Sequence, residues 1–331
     1  MKVTIGRTAE GVRGIFTTEE VLAGEPLIII PDHLVLSVKN VAAAEAAPVL
    51  LKEMFLPCSR LKPYMDMLPK LGEVLTGYNF PEEYIKYLAD PSMEDMVTQS
   101  FKRHAKATFK GQNNNHMEMT IPEAIGREDL NLTYWEHVVS LLSSRTFTIR
   151  KAALSMVPVI DLANHDPADI NRLDSTTPDG VRLIAGKDLK PGEEVTITYG
   201  NMRSDELLLY YGFIDQLTKP PKVFLVDHRD YIPYEVTSMD EDPPLMGPLE
   251  DVVAETARLR KILAAFEGRL AGLGPLPDSN PYLRDTIKQL HAQRREAIIA
   301  EVARLEALAE VLRAGGGQAD AGEGEGADDE L

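Results

Sequence analysis

The chain has a single cysteine, Cys58, which rules out an intrachain disulfide and a zinc cluster built from cysteines. No run approaches the roughly 18 unbroken apolar residues of a membrane span, so no membrane association is expected. The opening MKVTIGRTAEG lacks both the apolar core of a secretory signal and the Arg/Ser-rich character of a transit segment. With the lone thiol, that start predicts a soluble intracellular protein. Positive charge is scarce, 35 Lys+Arg against 52 Asp+Glu, for a net charge of −17. Nucleic acid, whose phosphates demand a basic face, is therefore excluded as an expected partner. A cationic protein surface suits such a field better. Several catalytic signatures are missing too. There is no G-x-S-x-G for a nucleophile elbow and no G-x-G-x-x-G after a strand for a dinucleotide. Asp161 and His165 stand four apart, but no third His, Cys or carboxylate has ligand spacing, and no metal is expected.

What remains is an ordinary globular composition, 44% hydrophobic and 26% charged, over 331 residues, enough for about two domains. Part of the acidity is local: Gly315–Leu331 holds six acidic residues and no base, which leaves −11 on the rest. Without apolar periodicity this tail reads as a solvated, disordered extension. The first strands are expected around Ile15-Phe16 and Leu27–Ile30, separated by the turn residues Ala23–Pro26. A second stretch shares that outline. Ile15–Ile30 (IFTTEEVLAGEPLIII) aligns without a gap to Leu183–Thr198 (LIAGKDLKPGEEVTIT), placing Gly24-Glu25 on Gly192-Glu193. The two are either a duplicated unit or two unrelated hairpins that use common turn residues. In Glu194–Tyr199, Val195, Ile197 and Tyr199 alternate with threonines, the period of a strand.

Between these β blocks helices are predicted over Val41–Phe55, Pro81–Leu88, Met93–Lys106 and Trp135–Leu142, with Asn113–Asn115 as a polar loop. Pro220-Pro221 and Met239–Pro248 read as linkers. Two further helices are expected over Glu250–Leu273 and Pro281–Ala314, the second opened by Asn280 as N-cap and Pro281 at its first position. Its stripe Leu283, Ile287, Leu290, Ile298, Val302, Leu305 and Leu308 predicts a helix hairpin that packs on itself or on the β part.

Three segments concentrate unusual residues: Ser143–Phe147 (SSRTF), Pro158–Asp166 (PVIDLANHD) and Thr196–Phe213. Asp161, Asn164 and His165 stand among buried-type residues, where polar groups are costly unless hydrogen-bonded. The segment reads either as a site or as a satisfied core cluster.

The order GVRGIF, helical insert, SRTF, VPVIDLANH, a Gly-Glu-Glu β unit and YGNMRSDELLLYYGF resembles the SET-domain methyltransferases. More narrowly it resembles the Rubisco large-subunit methyltransferase group, which replaces a cysteine-zinc cluster with a C-terminal helical domain. The resemblance implies an α+β fold, a β-rich SET core of several small sheets with a helical insertion, plus a C-terminal helical domain. The implied divisions are 1–40 and 143–215 for the core, 41–142 for the insertion, 216–314 for a helical substrate-binding-like domain and 315–331 for the tail. It implies S-adenosyl-L-methionine as cofactor and transfer of its methyl group to a lysine of a non-histone protein, such as the Rubisco large subunit or another metabolic enzyme. A monomer and a cytoplasmic or plastid location go with it. Histidine methylation, or a non-catalytic binding module on the same fold, are the alternatives. By resemblance, backbone around Gly11–Gly14, with Arg13, lies along the cofactor, where glycine lets backbone approach closely. Arg145 pairs with the cofactor carboxylate, Asn164 and His165 present groups to its amino and adenine ends, and Asp161 orients that turn. Tyr199 is the catalytic residue beside the cofactor, while Phe147 and Tyr211 line the acceptor pocket.

Overall fold

The structure, a computed structural model, describes residues 2–39, 42–113, 116–117, 119–150, 153–177, 180–217, 223–226, 233–236 and 248–316. The expected tail therefore lies outside the described residues from position 317, as do Pro220-Pro221 and residues 239–247. The chain forms two compact units. One comprises Met1–Glu82, Asp95–Met202 and Glu206–Phe213, and the other Glu83–Glu94, Arg203–Asp205 and Ile214–Leu331.

The first unit is built from small sheets rather than one large one. Its strands are β1 (Val3–Arg7), β2 (Arg13–Thr17), β3 (Pro26–Ile30), β4 (Leu36–Lys39), β5 (Gln112–Asn113), β6 (His116–Met117), β7 (Thr146–Ile149), β8 (Ala153–Met156), β9 (Arg172–Asp174), β10 (Val181–Ile184) and β11 (Glu194–Val195). Three three-stranded sheets run in the orders β1-β2-β11, β3-β10-β9 and β4-β8-β7, beside the β5-β6 hairpin. All pairings in them are antiparallel. Ile15, Leu27, Ile28, Val181, Leu183 and Val195 meet in one apolar core with Val157 and Ile160, each at most 1% exposed.

The two similar stretches pair with each other about a local two-fold axis. Val21 and Leu189, which correspond in the two stretches, face each other in an antiparallel bridge with N–H···O distances of 3.0 and 2.8 Å. Several hydrogen bonds nearby recur in both stretches. Gly24 donates to the Ala185 carbonyl and Gly192 to that of Thr17, both at 2.8 Å. Glu25 accepts from the Leu22 amide and Glu193 from that of Lys190. Gly24 and Gly192 hold φ of 87° and 84°, which glycine adopts without steric cost. Such agreement supports a duplicated unit over two unrelated hairpins.

The insertion packs the helices Ala43–Phe55 and Leu132–Arg145 inside this unit. Asn131 caps the second, accepting from the Tyr134 amide at 2.9 Å, and the buried Trp135 indole donates to the Ala105 carbonyl. The continuous helix predicted over Met93–Lys106 is instead α-helix Pro91–Asp95, π-helix Met96–Lys102 and α-helix Arg103–Phe109. Short helices Lys62–Met65 and Ile121–Ile125 are additional, too brief for a periodicity to announce them.

The second unit contains the long helices Leu249–Gly272 and Pro281–Gly316 and the hairpin of β12 (Val223–Val226) with β13 (Pro233–Val236). The Asn280 side chain accepts from the Leu283 amide at 3.0 Å, as its N-cap position predicts. Val252, Leu259, Ile298 and Leu305 form the inter-helix core, with Val302 and Leu308 packed against it. Arg294, 1% exposed, is accommodated because it donates to the Leu88 carbonyl and pairs with Asp90 at 3.3 Å.

Candidate functional site

All of the sequence-predicted site residues lie in the first unit. The segment Val157–Asp166 brings three of them in. Val159 has φ 71° and ψ −47°, a tight-turn conformation that is unusual for a β-branched residue, and it opens the 3₁₀ turn Ile160–Leu162. The turn sinks Asp161 into the core, its side chain fully buried. Such strain concentrates where surrounding structure over-determines a conformation.

Arg145 ends the helix Leu132–Arg145 and aims its guanidinium at this turn. Its Nη1 donates to the Asp161 carbonyl at 3.1 Å and to Oδ2 at 3.2 Å. The Tyr64 hydroxyl donates to the same Oδ2 at 2.9 Å. Burial pushes the Asp161 carboxyl above the usual range, opposed by the Arg145 charge and the Tyr64 hydrogen bond. Arg13, whose Nη1 donates to the Met67 carbonyl at 2.8 Å, feels the positive charge of Arg145 and is lowered chiefly by burial. Arg145 is thus the guanidinium paired with Asp161, while Arg13 acts on that carboxyl only through its charge and is also under the influence of Glu73 and Arg7. Among the described residues, the buried Arg145 Nε and Asp161 Oδ1 have no hydrogen-bond partner. An uncommitted guanidinium donor suits a carboxylate, and an uncommitted carboxylate oxygen suits an ammonium.

Asn164 turns toward β2. Its Nδ2 donates to the Arg13 carbonyl at 3.2 Å and to Glu194 Oε1 at 2.7 Å. Gly14 permits this approach, since a Cβ there would stand 2.7 Å from Glu194 Oε1 and 2.9 Å from Asn164 Nδ2. Gly11 has a different reason: φ 83° in the β1–β2 turn, with open space around it. The backbone at 164–166 also pairs with the end of the second repeat. Ile197 donates to the Asn164 carbonyl and Asp166 to that of Ile197, a parallel bridge that sets His165 beside Tyr199.

The Tyr199 amide donates to His165 Nδ1 at 3.1 Å, so that nitrogen serves as acceptor and is not available as a base. The Tyr199 hydroxyl donates to the Ala163 carbonyl at 2.9 Å. Burial raises the phenol well above its ordinary range, keeping it protonated, while Arg145 pulls it down and Tyr211, Asp161 and Glu194 push it up. Those influences place Arg145, Asp161 and Glu194 in the electrostatic surroundings of one hydroxyl. His165 stacks on Tyr199 at 5.0 Å between ring centroids, Tyr211 lies at 4.6 Å and Phe213 at 6.2 Å. Phe147, half-buried on β7, packs against the same core as Tyr199. Among the described residues no cluster of His, Cys, Asp or Glu is placed to hold a metal, and no helix is long and apolar enough to cross a membrane.

The SET domain family matches residues 12–200, more than half of the chain. The chain belongs to the SET-domain family. Among curated relatives it is 31% identical to SET domain-containing protein 8 of Schizosaccharomyces pombe, over 38% of this chain and 31% of that one. It is 24% identical to N-lysine methyltransferase SETD6 of Homo sapiens, over 61% of this chain and 48% of that one. It is 22% identical to actin-histidine N-methyltransferase of Danio rerio, over 63% and 39%. These matches span between about a third and a half of the relatives' own lengths. A crystal structure of the SET domain of LSMT bound to lysine and AdoHcy superposes with a TM-score of 0.66 at 16% identity, covering 95% of this chain and 88% of that one. That similarity shows the fold, a SET core of small sheets with a helical C-terminal region.

Three site residues were not among the expected ones: Tyr64, which lies outside every motif, and Glu194 and Phe213, which lie inside the Gly-Glu-Glu unit and the Thr196–Phe213 segment without having been singled out. Glu194 did leave a trace. Glu193 matches Glu25 as a turn cap, whereas Glu194 falls on Pro26, so the repeat breaks at the residue that turns to Asn164.

Proposed function

We propose that this chain is an S-adenosylmethionine-dependent protein-lysine N-methyltransferase, acting on a non-histone protein. The observation that supports it most is the half-committed guanidinium of Arg145 on the Asp161 carbonyl, two residues from the Ala163 carbonyl that receives the Tyr199 hydroxyl. Arg145, with Arg13, would hold the cofactor carboxylate; Asn164, His165 and the Gly11–Gly14 backbone would hold the remainder. When bound, S-adenosylmethionine supplies an electrophilic methyl group on a sulfonium.

The chain's own task is to deliver a neutral amine in line with it. Free lysine at pH 7 resists deprotonation by about 4.6 kcal/mol, from an ordinary pKa near 10.4. Tyr199 and Tyr211, 4.6 Å apart between ring centroids, with Phe147 packed against the same core as Tyr199, would remove water from the ammonium and lower that cost. His165 Nδ1 is engaged by backbone, so solvent takes the proton. The Tyr199 hydroxyl spends its hydrogen on the Ala163 carbonyl, leaving oxygen lone pairs to orient a polarised methyl by C–H···O contacts of roughly 0.5–1 kcal/mol each. Alignment supplies most of the acceleration. An apolar, aromatic wall suits a lysine stem better than an imidazole, which needs polar partners.

The test is to incubate the chain with methyl-labelled cofactor and a protein extract, then hydrolyse the labelled protein to amino acids. Methyl-lysine is expected. Methyl-histidine would replace the lysine assignment, and no labelled residue would leave a binding module as the better reading.

A further inference from the structure

The half-buried Asn164 side chain meets two oxygen acceptors with one nitrogen. Its Nδ2 lies 3.2 Å from the Arg13 carbonyl and 2.7 Å from Glu194 Oε1. A side-chain amide carries two N–H donors and one acceptor oxygen. The two contacts spend both hydrogens and fix which way the amide is turned, since neither oxygen could face Oδ1. Oδ1 is left on the opposite side, and among the described residues no hydrogen bond reaches it. The shorter of the two bonds is the one made by Glu194, and Gly14 keeps the space beside it clear of a Cβ. Turn and strand do not require this carboxylate. Glu193 is the counterpart of the turn-capping Glu25, whereas the counterpart of Glu194 is Pro26, which opens β3 without one.

We propose that Glu194 is a positioning residue: it turns the Asn164 amide so that Oδ1 is presented to the ammonium of the cofactor's amino-acid end. An oxygen held with no hydrogen of its own to offer selects a donor, and an ammonium is the strongest donor the cofactor has. Without Glu194 only the longer bond to the Arg13 carbonyl remains, and the amide rotates about it. The proposal rests on the cofactor reading above.

Glu194→Met keeps the length of the side chain and removes the acceptor, whereas Glu194→Gln removes the charge and keeps an oxygen that can accept from Asn164. Calorimetry compares S-adenosylhomocysteine with its deamino analogue, in which hydrogen replaces only the α-amino group. Wild type is expected to prefer the parent ligand at least about tenfold, the factor that one hydrogen bond to a charged group is worth. In Glu194→Met the parent binds about tenfold more weakly and the deamino analogue as in wild type, while Glu194→Gln stays within about threefold of wild type for both. Equal weakening of both ligands by Glu194→Met overturns the proposal, since it marks a purely structural role, and so does an unchanged preference. A loss in Glu194→Gln as large as in Glu194→Met overturns it too, because the charge and not the amide's orientation is then what counts. If wild type binds both ligands equally, this proposal falls and the cofactor reading stands; if it binds neither, both fall. Gly14→Ala guards against a Glu194→Met protein that does not fold: its Cβ presses on both ends of the same bond, and the same selective loss is expected.

Discussion

Adding one methyl group at Gly14 tests the Asn164–Glu194 arrangement at its tightest point. Gly14 is buried on β2, and a Cβ there would lie 2.7 Å from Glu194 Oε1 and 2.9 Å from Asn164 Nδ2. Both are closer than real Cβ contacts allow, and both belong to the two ends of one 2.7 Å hydrogen bond. The pair must part or the strand must shift. Overpacking of this kind costs about 1–3 kcal/mol, and losing a hydrogen bond to a charged group costs a similar amount, roughly 1.5–3 kcal/mol. For a domain of this size each kcal/mol moves the melting temperature by about 2–4 °C. Gly14→Ala should therefore melt about 2–12 °C below wild type and bind S-adenosylhomocysteine more weakly, because Asn164 has moved. Gly11 is the control. Its neighbourhood is open, but φ 83° penalises a side chain, so Gly11→Ala should lose about 1 kcal/mol from backbone strain alone. Gly11→Asn, which tolerates that conformation, should recover most of it. Differential scanning calorimetry reads all three. A Gly14→Ala protein with wild-type melting and wild-type ligand affinity would refute the close approach.

Two further outcomes follow from the Arg145–Asp161 pair. Arg145→Lys keeps the charge but loses the planar fork, so S-adenosylhomocysteine affinity should fall at least about tenfold by calorimetry, while melting changes little. An unchanged affinity would reject a carboxylate-binding guanidinium. Burial raises the folded-state carboxyl of Asp161 above its ordinary 3.8, so its protonated form is the one folding favours. The resulting stability is fully present below the unfolded value and is lost as pH rises through the raised folded value. The melting difference, wild type minus Asp161→Asn, should therefore increase as pH is lowered from neutral toward 4; a flat or opposite trend would contradict it.

Much of the architecture was legible from short-range patterns. The Gly-Glu turns at 24–25 and 192–193 were legible as turns, because only a few residues suit a positive φ followed by a side-chain cap, but neither closes the expected hairpin: β2 and β3, like β10 and β11, go to different sheets and each pairs with a strand of the other stretch. The stripe from Leu283 to Leu308 announces the long helix because its period survives over many turns. Other parts were hidden for physical reasons. The π-helical Met96–Lys102 interrupts a helix without an interrupting residue. The hairpin of β12 and β13 lies between the two expected linkers, in a stretch for which no element was expected.

The candidate site divides in the same way. Asp161, Asn164 and His165 stood out as polar groups beside apolar neighbours and Tyr199 only through the resemblance, and the structure brings the four together with Arg13, Gly14, Arg145 and Tyr211. Tyr64 could not be found that way. It reaches Asp161 across 97 positions of sequence from a four-residue helix, and nothing in Lys62–Met65 distinguishes its tyrosine from a core one. A partner chosen by tertiary contact alone leaves no local spacing to read.

The most direct measurement is methyl transfer by Tyr199→Phe beside wild type. Both proteins are incubated with methyl-labelled S-adenosylmethionine and a protein extract, and labelled lysines are quantified by mass spectrometry. Wild type should label a lysine, and the variant should lose most of that turnover while still binding S-adenosylhomocysteine, because the hydroxyl held at 2.9 Å from the Ala163 carbonyl is gone and the rest of the pocket remains. Labelling by the variant at the wild-type rate would contradict the account.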